Sequence, residues 1–529
     1  MVRCPTEHGS RRTRARALAA AAVVTGGLVL AWSARAAQGA AAARGAANAS
    51  GARAEALAGV SRNDPSTSAV RSDAGPAASG APVAAWLASA GIAADHVGLV
   101  ALPLDGGAPL LQHNPARALN PASTMKLVTT FAALSLLGPE YRWRTSAFLR
   151  GRLESGVLRG DLVLRGGGDP KLVVEDLAEF VARMRESGLR EIAGDLVVDD
   201  AIYDVGPASV DPFDGDPSQP YNVRPFGLMM NFKATRVVVQ PAGLSASIEL
   251  DPALAGVSID NEVRVLRGPC RHGISGLEVR DGGPDAQPRV RVSGSYSAAC
   301  GEQSAFTAVL THRQFVEALF RAAWTSAGGI WSGRARVERG AGTGTPWLEW
   351  VSPRTLADVV RDVNKFSNNV MARHLLLQLA SDTAGPDGAS ATPERSRGVL
   401  HAWLARQGLD FPELVVDNGS GLSRSERISP AHLARLLVHA ASGPLADTYR
   451  ESLPAVGVDG TMKRRLVGDP VAGRAWIKTG SLNDVKAIAG YVDAASGRRY
   501  AVAMIVNGPQ AEASRALQDE FLRWVRRQG

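Results

Sequence analysis

The sequence predicts an α/β (α+β) catalytic body, made of an antiparallel sheet and helices, that a β-rich inserted region interrupts. Two observations predict this fold. Helical patterns near both ends of the chain enclose a long stretch that is mostly extended, and the end of the chain alternates as strands before a final amphipathic helix. With 529 residues, the chain is also too long for a single core.

The N-terminus has the pattern of a secretory signal peptide, residues 1–36. A basic region at Arg11–Arg16 precedes the apolar stretch Ala17–Trp32, and a small-x-small cleavage site ends at Ala36. The alternative is an uncleaved anchor, although the stretch is slightly short for a bilayer span. Residues 37–82 have the composition of a disordered Ala/Gly-rich linker. We therefore expect an exported protein without a stable membrane span.

The positive charge is concentrated in these first residues. Residues 1–83 hold ten Arg and four acidic residues, so only +2 of the net charge of +8 belongs to the rest of the chain. A basic face is the electrostatic footprint of nucleic-acid binding. Because the folded body is nearly neutral, we predict no nucleic-acid partner.

The catalytic body is predicted at residues 83–150 and 340–529. Pro121–Leu137 is expected to be a helix, because proline suits a first turn and Gly138-Pro139 ends the apolar pattern. Other helices are predicted at Ala84–Ala90, Pro353–Val363, Val370–Leu379 and Arg395–Gln407, and strands at Val97–Leu102, Pro109–Gln112, Arg474–Gly480, Val485–Asp493 and Arg499–Asn507. The last helix should cover the sheet rather than lie on a membrane; its apolar face holds Leu517, Phe521, Trp524 and Val525.

The inserted region, residues 151–339, is predicted to be rich in strands. Two Gly-Asp-Leu-Val segments, at 160–163 and 194–197, flank the amphipathic helix Val174–Glu186, which predicts a β-α-β unit. Extended segments are expected at Val157–Arg165, Glu191–Val198, Arg236–Gln240, Ala246–Leu250, Val263–Leu266 and Arg289–Tyr296. In an exported protein, Cys270 and Cys300 favour a structural disulfide over two free thiols.

Ser123-Thr124-Met125-Lys126 places a hydroxyl and an amine three positions apart in the first turn of a predicted helix, and therefore on one face. The pattern alone is weak, because chance produces it in a chain of this size. Lysine is rare here, however, with 7 Lys against 52 Arg. A buried amine near a cation can lose its proton and a guanidinium cannot, so Lys126 is a candidate general base.

Two further motifs follow in the chain. Ser367-Asn368-Asn369 lies between two predicted helices, and Lys478-Thr479-Gly480-Ser481 lies on a predicted strand that leads into a hairpin. Each also has a structural explanation, a helix-capping turn for the first and an ordinary strand end for the second.

In this order, S-x-x-K, S-x-N and K-T-G resemble the signatures of the penicillin-binding proteins and serine β-lactamases. The insertion between Lys126 and Ser367 resembles the low-molecular-mass D-alanyl-D-alanine carboxypeptidase/endopeptidase family. Similar stretches, from about residue 84 to the C-terminus, are Gly168-Asp169-Pro170, Asp417–Arg424, Asp459–Met462 and Ala489-Gly490-Tyr491. Two departures are Asn368, where relatives often have Asp, and Asn418, which interrupts an acidic-Gly-Ser-Gly run.

The resemblance implies acyl transfer through an ester on the serine. It assigns the following roles: Ser123 as nucleophile, Lys126 as base, Ser367 as proton relay, Asn369 as a donor to the substrate amide, Lys478 as a cation, Thr479, Gly480 and Ser481 as the substrate-binding strand, and the N–H groups of Ser123 and Ser481 as the oxyanion hole. The implied partners are peptidoglycan peptide and β-lactam inhibitors. The implied location is the periplasm, or otherwise the cell-wall side.

Two weaker candidates would bind the stem peptide. Arg424 could meet a carboxylate or be a surface charge. Asp216, in the acidic, Pro-rich loop Asp211–Tyr221, could bind the ammonium group of a diaminopimelate side chain or be a turn former.

No cofactor and no metal are expected. His432 and His439 lack the spacing of a zinc helix, and the chain has no G-x-S-x-G elbow. The rival functions are a serine β-lactamase, which the large insertion disfavours, and a non-catalytic wall-binding protein, which the intact motifs disfavour. The oligomeric state and the balance of carboxypeptidase and endopeptidase activity stay open.

Overall fold

The computed structural model describes residues 81–529, with gaps at 207–211, 244, 272, 275–276, 282–286 and 382–388. The predicted signal peptide, and the predicted linker up to residue 80, lie outside these residues. The first helix begins at Ala81, so it includes the last two residues of the predicted linker, 81 and 82. In the described part of the chain, no helix combines the length and the apolar character needed to cross a bilayer.

Helices and strands alternate along the chain. The helices are α1 (Ala81–Ala90), α2 (Lys126–Leu137), α3 (Val174–Glu186), α4 (His312–Ser326), α5 (Leu356–Phe366), α6 (Asn369–Ser381), α7 (Pro393–Arg406), α8 (Pro430–Ser442), α9 (Ala446–Ser452) and α10 (Ser514–Gln528). The strands are β1 (Val97–Pro103), β2 (Leu111–His113), β3 (Arg144–Glu154), β4 (Val157–Gly166), β5 (Glu191–Ile192), β6 (Leu196–Asp199), β7 (Thr235–Ala242), β8 (Ser245–Asp251), β9 (Ser258–Leu266), β10 (Leu277–Asp281), β11 (Arg289–Ser297), β12 (Gln303–Thr307), β13 (Ile330–Trp331), β14 (Ala335–Val337), β15 (Leu348–Val351), β16 (Ala475–Leu482), β17 (Val485–Asp493) and β18 (Arg499–Asn507).

A five-stranded antiparallel sheet lies at the centre of the catalytic body. Its order is β16-β17-β18-β1-β2, so both ends of the chain contribute to it. The five strands expected from the sequence are confirmed. β17 and β18 are buried along almost their whole length, because helices cover both faces of the sheet. β16 stands at the edge, and this edge is the one that faces the candidate site.

Two helical layers cover this sheet. α2 and α5 to α9 pack on one face, in a core that includes Phe131, Trp403 and Tyr449. α1 and α10 cover the other face, where Phe521 is fully buried and Trp524 packs edge-on against a tryptophan of α1. The prediction that the last helix covers the sheet is confirmed.

The insertion is built on a seven-stranded sheet of β3 to β6 and β13 to β15. The two Gly-Asp-Leu-Val segments pair in parallel, Leu162 with Leu196, and α3 connects them, so the β-α-β unit is confirmed. β3 pairs with β15. Since this pairing starts at Arg144 and ends at Val351, both predicted boundaries, at 150 and 340, fall within the span of the sheet.

Two three-stranded sheets complete the insertion, in the orders β10-β11-β9 and β12-β7-β8. A disulfide joins Cys270, which follows β9, to Cys300, which lies in the turn between β11 and β12. Val292 and Tyr296 of β11 lie in the core that the insertion shares with α3 and α4.

Candidate active site

Ser123 and Lys126 lie on a tight turn. Ala122–Met125 form a 3₁₀ helix, and α2 begins only at Lys126, so the prediction of a helix from Pro121 is wrong in its first turn. Side chains at positions i and i+3 of a 3₁₀ helix eclipse each other, which aligns the two groups more closely than an α-helix would. The Nζ atom of Lys126 lies 3.0 Å from the Oγ atom of Ser123.

Two glycines hold the backbone of this turn in place. Ala122 has φ 45°, a conformation that side chains disfavour. A Cβ atom on Gly421 would lie 2.0 Å from the Ala122 carbonyl oxygen, and one on Gly480 would lie 2.6 Å from that of Pro121. Both glycines also approach the Ser123 nitrogen. The turn that carries Ser123 therefore depends on close backbone packing from two distant segments.

The Lys126 amine is fully buried and contacts three oxygen atoms. These are the Ser123 Oγ atom, the Asn369 Oδ1 atom at 2.6 Å and the Ser420 carbonyl oxygen. Amide and carbonyl oxygens can only accept hydrogen bonds. A neutral amine that donates both N–H groups to them has its lone pair left for the Ser123 hydroxyl proton. This geometry suits a general base.

Electrostatics favour the neutral form of Lys126. Burial lowers its pKa well below 10.5, the positive charge of Lys478 lowers it further, and the negative charge of Glu426 opposes both. Burial also lowers the pKa of Lys478, to about 7. Both lysines therefore lose their protons more easily than an exposed lysine, and Lys126 does so with the added repulsion of Lys478.

The Ser367-Asn368-Asn369 turn joins α5 to α6. Ser367 ends α5 in a left-handed conformation, φ 57°. The Asn368 side chain accepts a hydrogen bond from the Met371 N–H at 3.0 Å, so it caps α6. Ser367 and Asn369 contact the two lysines instead. The turn is thus a helix cap and also part of the site.

Lys478 extends from the edge strand β16. Its Nζ atom donates to the Ser367 Oγ atom and to the Thr479 carbonyl oxygen, both at 2.9 Å. The Thr479 hydroxyl donates to the Thr461 hydroxyl at 3.0 Å. β16 pairs with β17 on one side, and Ala455 bridges its other side at Trp476. From Lys478 onward, no described strand pairs with this second side, and the Ser123 turn packs against Gly480. An open strand edge of this kind can pair with an extended peptide.

The two weaker candidates lie in neighbouring loops. Arg424 is exposed, and its guanidinium group lies over the Phe213 ring at 4.7 Å. The Asp216 carboxylate accepts hydrogen bonds within its own turn, including 2.6 Å from the Ser218 hydroxyl. The structure therefore brings the loops of Arg424 and Asp216 together, while Asp216 also acts as a turn former.

α6 anchors the Asp216 loop beside the site. Arg373, one helical turn after Asn369, donates to the Tyr221 carbonyl oxygen at 3.2 Å and to the Val223 carbonyl oxygen at 3.1 Å. The insertion thus contributes a loop to the region next to the two lysines.

Three groups escaped sequence analysis: the Ser420 carbonyl, the Thr461 hydroxyl and the buried carboxyl of Glu426. A backbone carbonyl leaves no trace in a sequence. Thr461 lies within the family-like stretch Asp459–Met462, and Glu426 follows the family-like stretch Asp417–Arg424 by two residues. These positions were the only sequence signal for the two side chains.

The fold and the site define a class of protein, a serine acyltransferase or hydrolase of the penicillin-binding type. Within the described ranges, no group of three or more His, Cys, Asp or Glu side chains could hold a metal ion. The D-Ala-D-Ala carboxypeptidase 3 (S13) family model matches residues 80–528. The chain belongs to that family.

Similar proteins agree with this assignment. A D-alanyl-D-alanine carboxypeptidase of Actinomadura sp. (strain R39) is 31% identical over 449 residues, which are 80% of this chain and 79% of the relative. The crystal structure of penicillin binding protein 4 (dacB) from Haemophilus influenzae superposes with a TM-score of 0.68 at 22% identity, covering 80% of this chain and 96% of that one. The same protein complexed with a β-lactam gives 0.64 at 23% identity, with the same coverage.

The predicted family and the predicted α/β penicillin-binding fold are confirmed. The protein is a serine-type D-Ala-D-Ala carboxypeptidase.

Proposed function

We propose that this carboxypeptidase trims the D-alanyl-D-alanine ends of peptidoglycan stem peptides through a covalent ester on Ser123. The observation that carries this proposal is the Ser123 hydroxyl 3.0 Å from a buried amine whose other two contacts are acceptors. A second lysine, Lys478, lowers the pKa of that amine. Family membership supplies the substrate class.

Acylation starts with proton transfer from the Ser123 hydroxyl to the neutral Lys126 amine. The Ser123 oxygen attacks the carbonyl carbon of the penultimate D-alanine, and the backbone N–H groups of Ser123 and Ser481 stabilise the oxyanion. As the C–N bond breaks, Ser367 gives its hydroxyl proton to the departing D-alanine nitrogen and regains the proton that Lys126 took from Ser123, so that Lys126 is neutral again. Water then cleaves the ester and frees Ser123.

The remaining groups would orient the substrate. Asn369, already hydrogen-bonded to Lys126, also donates to the peptide amide. Lys478 and Thr479 lie on the edge strand and would bind the terminal carboxylate, and Gly480 lets this strand pack directly against the Ser123 turn. An extended substrate would pair with this edge as an additional strand.

Beyond the scissile bond, Asp216 and Arg424 would select the stem peptide. Asp216 would bind the ammonium group of a diaminopimelate side chain, and Arg424 would bind a carboxylate. The contact of Arg424 with Phe213, in the Asp216 loop, supports their joint action on one ligand.

The proposed location is the periplasm, or otherwise the cell-wall side. The leader pattern of residues 1–36 supports export. β-Lactams would acylate the same Ser123, as the β-lactam complex of the H. influenzae protein suggests.

The test is intact-mass analysis after incubation with a labelled β-lactam. We expect a long-lived adduct that peptide mapping places on Ser123 and that Ser123→Ala abolishes, with Ser89→Ala, an exposed serine on α1, as the matched control. Rapid hydrolysis without an adduct would indicate a β-lactamase, and no reaction would indicate a non-catalytic protein. Release of D-alanine from uncross-linked wall fragments, compared with cleavage of cross-linked ones, then measures carboxypeptidase against endopeptidase activity.

A further inference from the structure

Glu426 is a fully buried carboxyl next to the site. Its Oε1 atom accepts hydrogen bonds from three consecutive backbone N–H groups, those of Asp417 at 3.2 Å, Asn418 at 3.1 Å and Gly419 at 2.8 Å. Its Oε2 atom is also buried and has no hydrogen-bond partner among the described residues. A buried carboxyl with one unpaired oxygen destabilises a fold, which suggests that this group has a function.

The loop that Glu426 holds leads directly to Lys126. The residue after Gly419 is Ser420, whose carbonyl oxygen accepts a hydrogen bond from the Lys126 amine. The Thr129 hydroxyl, one turn after Lys126 in α2, donates to the Gly419 carbonyl oxygen at 2.7 Å. Because both ends of this peptide segment are fixed, the Ser420 carbonyl has one position relative to the amine.

Glu426 also acts on Lys126 through its charge. Its negative charge raises the pKa of Lys126, against the effects of burial and of Lys478. Burial raises the pKa of Glu426 itself to about 7, and the nearby Asp417 carboxylate adds to that increase. Arg373 also faces Glu426: burial lowers the pKa of that guanidinium to about 10, and the Glu426 charge opposes this effect.

We propose that Glu426 is a positioning residue for acylation: it holds the Ser420 carbonyl against the Lys126 amine and places an ionisable carboxyl behind the loop that contacts this amine. This inference rests on the proposed roles of Ser123 and Lys126. It gives the enzyme a way to set the pH range in which the amine is neutral without any contact between Glu426 and the substrate.

The test compares the pH dependence of β-lactam acylation in the wild type, Glu426→Gln and Glu426→Ala. Gln retains an acceptor oxygen for the three N–H groups but carries no charge. Above about pH 7, where wild-type Glu426 is ionised, we expect the Gln profile to lie at lower pH by about half a unit or more, because Lys126 then loses its proton more easily. Ala also removes the acceptor, so its maximal acylation rate should fall roughly tenfold.

Glu413→Gln is the matched control. Glu413 lies on the same segment, is partly buried, accepts a hydrogen bond from the Ser429 N–H at 2.9 Å and pairs with His432. We expect its pH profile to match the wild type.

Three results would overturn the proposal: a Glu426→Gln profile with an unchanged midpoint, an equal shift in Glu413→Gln, or failure of Glu426→Gln to fold, since Gln keeps the oxygen that holds the loop. If the wild type formed no adduct on Ser123, the proposed function itself would fail. If the adduct formed and only the pH shift were missing, the role of Glu426 alone would be refuted.

Discussion

Replacing Lys478 with Met should stabilise the fold while it suppresses acylation. Lys478 is fully buried, and burial lowers its pKa from 10.5 to about 7. In the unfolded chain the amine returns to its ordinary pKa. Folding at neutral pH therefore either removes a proton from this group or buries its charge, and both are unfavourable.

The size of the effect follows from the shift. A pKa that falls from 10.5 to about 7 corresponds to roughly 5 kcal/mol, of which about 4 kcal/mol applies at pH 7, where the folded amine is half protonated. Met avoids this penalty with a side chain of similar length. It leaves the Ser367 hydroxyl and the Thr479 carbonyl without their donor, which costs about 2 kcal/mol together. We expect a net stabilisation of about 2 kcal/mol at pH 7.

The pH dependence gives a second check. Between about pH 7 and pH 10.5 the unfolded state binds more protons at this position than the folded state, so the wild type gains stability as the pH rises. Below about pH 7 both states are protonated and the penalty has its full size. Lys478→Met lacks this dependence, so its advantage should be largest in mild acid, should disappear near about pH 9, where the penalty equals the loss of the two hydrogen bonds, and should be reversed above that pH.

Calorimetric thermal midpoints at about pH 6 and about pH 10 measure the difference. Lys463→Met, at an exposed lysine, is the control and should change stability by no more than about 0.5 kcal/mol. Acylation of Lys478→Met by a β-lactam should fall by roughly 10²–10⁴-fold. The reasoning is refuted if Lys478→Met is no more stable than the wild type at the lower pH, or if the difference persists unchanged at the higher pH.

Three further substitutions test neighbouring contacts. Asn369→Ala removes an acceptor from Lys126 and should lower the β-lactam acylation rate by roughly tenfold; an unchanged rate would contradict the assignment. Thr461→Val removes the acceptor of the Thr479 hydroxyl, so the KM for a D-Ala-D-Ala peptide should rise while kcat is retained; a fall in kcat alone would argue against it. Replacing both Cys270 and Cys300 with Ser should destabilise the insertion by about 3 kcal/mol in thermal unfolding and leave acylation unchanged; lost acylation would show that the bridge supports the site.

Strong local patterns made much of the fold predictable. β17 and β18 are apolar runs. The two Gly-Asp-Leu-Val segments pair with each other so that identical positions lie side by side, Leu162 beside Leu196. The expected strand Glu191–Val198 is in fact two strands, because Gly194 approaches the Gly160 carbonyl so closely that a Cβ atom would lie 2.4 Å from it. The only sign of such close tertiary packing in the sequence is the glycine itself.

The sequence contains the start signals of helix α8, but this helix was not predicted. Ser429 accepts a hydrogen bond from the His432 N–H as its N-cap, and Pro430 occupies the first turn. Both are ordinary start signals for a helix. Strand β3 gave a poorer signal, since its second half is mostly exposed and carries Arg150 and Arg152.

The sequence singled out the side chains that we propose to be reactive, but not their support. Ser123, Lys126 and Lys478 could be found because each lies in a short motif of unusual residue types. The 3₁₀ turn could not be found, because Ala122 is held at positive φ by contacts from Gly421 and Gly480, hundreds of residues away in the chain. Side-chain chemistry is local in sequence, whereas its alignment depends on tertiary packing.

The site concentrates features that are unfavourable on their own. Ala122 and Ser367 adopt positive φ, each at about 1–3 kcal/mol, and two lysines are buried beside them. Close backbone packing, such as that of Gly421 and Gly480 against the Ser123 turn, holds the strained residues in place. A substitution that removes an unfavourable feature should therefore raise stability and lower acylation. One that damages the support, such as Gly421→Ala, whose Cβ atom would lie 2.0 Å from the Ala122 carbonyl, should lower both. The sign of the stability change thus separates residues that carry the chemistry from residues that hold it in place.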